Sequence, residues 1–65
     1  MLHHYSRTTI RMTGEEILSE RLQMEVYLTR LEALTRINLW NRQALSFWLR
    51  TNQHLFIYTL EPIDA

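Results

Sequence analysis

The chain has 65 residues, 46% hydrophobic and 22% charged, with seven arginines, no lysine and seven acidic residues for a formal net charge of zero. That length supports one small domain with a marginal core, and the lack of cysteine excludes disulfide staples and thiolate zinc sites. The longest apolar run, Leu55-Phe56-Ile57-Tyr58, is far short of the ~20 residues of a spanning helix, and no apolar stretch follows Met1 to make a secretory signal, so a cytoplasmic location is expected.

In chain order, residues 1–12 read as a flexible or strand-like arm. The first six residues carry no periodic signal, whereas Arg7-Thr8-Thr9-Ile10-Arg11-Met12 is rich in β-branched types. The single domain is then expected over 13–60. Thr13-Gly14-Glu15-Glu16 has the spacing of a capping box, with Glu15 and Glu16 at the positive end of the helix dipole. A helix over about 14–37 is predicted from there.

Two apolar stripes run along that predicted helix. One holds Ile17, Met24, Leu28, Leu31 and Leu34; the other holds Leu22, Val26, Ala33, Ile37 and Trp40. At 100° per residue they lie on nearly opposite sides. One short partner helix covers only one of them, so the first stripe is assigned to self-association with a second copy of the chain. Asn38-Leu39-Trp40-Asn41 is the predicted break, since asparagine caps helices and accepts turn conformations. A second helix over about 39–53 follows, with Thr51-Asn52 as its stop.

Both stripes continue in phase through that break, as Ile37, Trp40, Ala44 and Phe47 on one side and Asn38, Leu45 and Leu49 on the other. A single helix over 14–52 is the competing reading. The polar positions Glu20, Asn38 and Asn41 interrupt a strict heptad, which favours the hairpin. Residues 55–60 have strong β propensity and can pair with 7–12 as a small ribbon beside the helices. Glu61-Pro62 ends that segment, and 61–65 form an acidic tail. The fold class expected from all this is all-α, a helical hairpin with short irregular or strand-like ends, assembled as a homodimer.

Charge alternates along the chain in blocks: +2 over residues 1–14, −2 over 15–37, +2 over 38–60 and −2 in the tail. Such blocks suit electrostatic self-association. Chemistry finds little support. His3, His4 and His54 have no ligand spacing, and Ser6, Ser19 and Ser46 have no catalytic context. One glycine makes no phosphate loop. No enzyme activity, metal or cofactor is therefore expected. Trp40, Arg42, Trp48 and Arg50 are the candidate partner-binding residues, because tryptophan and arginine dominate protein hot spots.

The expected function is that of a non-enzymatic protein–protein interaction module, a homodimeric regulator or adaptor with an unidentified protein partner. A lysine-free chain this short fits an accessory product of a phage or plasmid. The alternative is a small DNA-binding regulator that uses the same Arg and Trp residues, against which stand the zero net charge and the lack of a dense basic face.

Overall fold

Gly14 turns the chain back on itself, as a hairpin and not as the first turn of a helix. In the computed structural model, which describes residues 1–62, its φ is 88°, a conformation costly for any residue with a Cβ. The Gly14 N–H donates to the Arg11 carbonyl at 2.8 Å, and the Arg11 N–H donates to the Glu15 carbonyl at 2.9 Å. Within the connection from β1 (His4–Ile10) to β2 (Glu16–Gln23), this closes a three-residue loop of Met12, Thr13 and Gly14. The two strands pair antiparallel from His4 opposite Gln23 to Thr9 opposite Leu18. Ile10 then lies opposite Glu16, so Ile17 is an extra residue that bulges β2.

After β2 the chain is tied to its own beginning. The Met24 N–H donates to the His3 carbonyl at 2.8 Å, and the Leu28 N–H donates to the Met1 carbonyl at 3.0 Å. The His3 ring is 4% exposed, with Nε2 3.0 Å from the Leu28 carbonyl oxygen. Thr29 then opens α1 (Arg30–Thr51) with both bonds of a capping box. Its Oγ1 accepts from the Glu32 N–H at 3.2 Å, and its own N–H donates to Glu32 Oε1 at 3.0 Å. Asn52, left-handed at φ 55°, closes the helix by donating its N–H to the Trp48 carbonyl.

β3 (Leu55–Leu60) returns antiparallel along the free side of β1, from Tyr5 opposite Leu60 to Ile10 opposite Leu55. The sheet order is β2-β1-β3, and α1 packs on β3. Residues opposite one another in the ladder share a face. Tyr5, Arg7 and Thr9 therefore lie in rows with Leu22, Glu20 and Leu18 on one side and with Leu60, Tyr58 and Phe56 on the other. This is the helix face. Met24, Leu28, Ala33, Ile37 and Leu60 form the buried core, with Tyr5, Trp40 and Tyr58 packed against it.

The structure corrects the all-α reading. The protein is a mixed α/β fold, a three-stranded antiparallel sheet and one helix, so the helical hairpin over 14–37 and 39–53 does not exist. Residues 16–23 are a strand because Leu18, Glu20 and Leu22 alternate with Ser19, Arg21 and Gln23 across the two faces of a hairpin. The apparent Thr13 cap belongs to its loop. The proposed seam is broken up accordingly: Ile17 sits in β2, Met24 and Leu28 are buried in the chain's own core, and Leu31 and Leu34 stand exposed on α1. The expected break at 38–41 is absent, and α1 runs through it. Residues 4–10 are a strand within the sheet and His3 is buried, so the start of the chain is not a loose arm. Of the acidic tail, Asp64 lies outside the described residues. No helix among the described residues is long and apolar enough to cross a membrane.

Candidate functional site

Because α1 lies over β3, the helix face of the sheet is left partly open above β1. The opening is a cleft of about 510 Å³, walled by Tyr5 and Arg7 of β1, Phe56 and Tyr58 of β3, and Trp40, Gln43, Ala44, Phe47 and Arg50 of α1. Each element contributes by its own periodicity. Tyr5 and Arg7, like Phe56 and Tyr58, are two apart on a strand and so point the same way. Trp40, Ala44 and Phe47 follow the 3–4 spacing of one helix flank.

The deep wall of the cleft is a cluster of three rings. Tyr5 and Trp40 have centroids 5.1 Å apart at 59°, Trp40 and Tyr58 are 5.4 Å apart at 59°, and Tyr5 and Tyr58 are 6.1 Å apart at 46°. These tilted arrangements let the edge of one ring meet the face of another. Arg7 crosses the cleft floor. Its Nη2 donates to Glu20 Oε2, and its guanidinium carbon lies 5.5 Å from the Phe56 ring centroid. The hydrogen bond that Arg7 donates to the Glu20 carboxylate, with a smaller contribution from the one it donates to the Tyr58 hydroxyl, raises the Arg7 pKa above the ordinary arginine value. Arg50 stands at the rim with no ion pair among the described residues. A second hollow of about 280 Å³, bounded by Phe47, Asn52, Gln53, His54 and Phe56, continues the cleft past the end of α1.

The four candidate binding residues do not stay together. Trp40 and Arg50 line the cleft. Trp48 is half-buried beneath the helix, its indole Nε1 enclosed without an acceptor among the described residues. Arg42 is exposed on another side of α1. The strand contribution of Tyr5, Arg7, Phe56 and Tyr58 was missed, although the alternating Tyr5/Arg7 and Phe56/Tyr58 pairs are visible once both segments are read as strands. Among the described residues no three His, Cys, Asp or Glu side chains gather as metal ligands. His3 is held against Leu28, and His4 lies with Arg21 and Glu61 at the far end of the sheet.

Compared with known protein families, with curated proteins and with solved structures, the chain has no match.

Proposed function

We propose that this chain is a small non-enzymatic protein-interaction module that receives a segment of its partner in the cleft between α1 and the sheet. The observation that carries this is the composition of the cleft: five aromatic side chains, with Arg7 across the floor and Arg50 at the rim. Large apolar side chains rimmed by arginine are what a protein hot spot requires. A nucleic-acid ligand fits less well. The Glu20 carboxylate neutralises Arg7 on the cleft floor, leaving Arg50 as the one uncompensated cation of the wall among the described residues, and the whole chain has no net positive charge.

The reading is tested by placing a photo-crosslinking amino acid at Gln43, inside the cleft, and in a control at Thr59, on the opposite face of the sheet. The expected result, in the native host, is one discrete protein adduct at position 43, absent at 59 and lost on adding Arg50→Glu. A nucleic-acid adduct at position 43, or equal adducts at both positions, overturns it. The salt dependence of the captured interaction separates the two readings independently, since a phosphate-binding surface weakens steeply between low and moderate salt.

A further inference from the structure

The flank of α1 facing away from the cleft carries a row of exposed side chains: Leu31, Leu34, Asn38, Arg42, Leu45 and Leu49. The four leucines are 74%, 40%, 46% and 64% exposed in chain order. The row is straight. Leu31 and Leu49 stand eighteen residues apart, five full turns at ~3.6 residues each. It also reads nearly the same in both directions, with two leucines, two polar residues and two leucines. We infer that α1 pairs antiparallel with α1 of a second copy through this row, about a two-fold axis between Asn38 and Arg42.

Charge decides between the possible directions. A parallel pair sets Arg42 against Arg42, and like charges at a helix seam repel. An antiparallel pair sets Leu31 against Leu49 of the second copy, Leu34 against its Leu45, and Asn38 against its Arg42, where the Asn38 side-chain carbonyl can accept from the guanidinium. The row is thus self-complementary, as an isologous two-fold contact demands.

The need for cover is equally plain. Among the described residues the monomer buries five apolar side chains and completely encloses no large one, so burying eight leucines between two copies adds substantially to the apolar surface removed from water. This pairing is independent of partner binding in the cleft, because the two surfaces occupy opposite flanks of α1.

The test uses the chain's lack of cysteine. Sedimentation of the full chain over a roughly hundredfold concentration range should show a monomer–dimer equilibrium. Leu49→Asp, at an exposed position that leaves the monomer core untouched, should weaken the dimer by at least about a hundredfold. Under mild oxidation, Leu31→Cys alone and Leu49→Cys alone should remain uncrosslinked, because like positions are then about 27 Å apart along the axis. A mixture of the two should form a disulfide dimer. Crosslinking of Leu31→Cys with itself, a dimer undisturbed by Leu49→Asp, or a monomer at every concentration overturns the proposal.

Discussion

The side-chain amide of Asn41 makes both hydrogen bonds that a neighbouring strand would make to Tyr58. Its Oδ1 accepts from the Tyr58 N–H at 2.7 Å, and its Nδ2 donates to the Tyr58 carbonyl at 2.9 Å. Tyr58 is the middle of β3's outer edge, and an open edge is a template for unwanted pairing. Asn41→Ala leaves both groups without their partner, at about 1–3 kcal/mol for each that stays buried. Urea unfolding should show that loss, and exchange of the Tyr58 amide should accelerate. An unchanged Tyr58 exchange rate would show that Asn41 does not guard the edge.

The chain contains two Thr-x-x-Glu sequences, and only the second caps a helix. Thr29→Ala should therefore cost about 0.5–2 kcal/mol, whereas Thr13→Ala, in the exposed hairpin loop, should stay within about 0.5 kcal/mol of the parent. Paired thermal melts give the comparison directly. Equal losses would place a cap at Thr13 after all.

Gly14 has nothing within 4 Å of where a Cβ would stand. Gly14→Ala therefore suffers no clash and meets only the conformational cost of its positive φ, about 1–2 kcal/mol. Denaturant midpoints measure it. A stabilised variant would mean that the loop does not need the left-handed residue.

Acid should destabilise the protein in a defined direction. The Thr29 backbone N–H, followed by the Thr29 hydroxyl, holds the Glu32 carboxyl below its ordinary pKa, and the hydrogen bond from Arg21 does the same for Glu61. A carboxyl whose folded pKa is depressed stabilises the fold above its unfolded pKa. That contribution fades as pH falls through the folded value. Glu32 is exposed and Glu61 only partly covered, so the effect is modest. The melting temperature should drop as pH falls through and below the ordinary carboxylate range, and Glu32→Gln with Glu61→Gln should flatten that part of the profile. A double variant as acid-sensitive as the parent would refute the assignment.

What the sequence revealed about the fold was uneven, for reasons particular residues make clear. The stop at Thr51-Asn52 is local, a left-handed asparagine after the last turn, and it was readable. The pairing of 7–12 with 55–60 was only one option the sequence left open; 55–60 is β3, but β1 runs over His4–Ile10, taking in His4, Tyr5 and Ser6, where no periodic signal marked a strand. β2 was not readable as a strand, because Glu, Leu, Ser and Arg are indifferent to strand or helix, and Ile17, Met24 and Leu31 happen to fall seven apart. Asn41 looked like a break because its partner, the Tyr58 backbone, is seventeen residues away. For the same reason the cleft was half seen. Its helix residues form a local pattern, while Tyr5, Arg7, Phe56 and Tyr58 meet them only through the sheet.

The central place of β1 also sets an order of assembly. Its pairing with β2 closes through a three-residue loop, whereas its pairing with β3 must wait across the forty-four residues between Ile10 and Leu55. Hairpins form in microseconds, but a ribosome adding ~5–20 residues per second needs roughly two to nine seconds to make that stretch. From the completion of β2 at Gln23 until β3 arrives, the nascent hairpin carries an unpaired inner edge with Tyr5 beside it. Chaperone capture or premature association during synthesis should therefore target the β1 edge, and shortening the delay by circular permutation that joins β3 directly to β1 should raise the yield of folded protein.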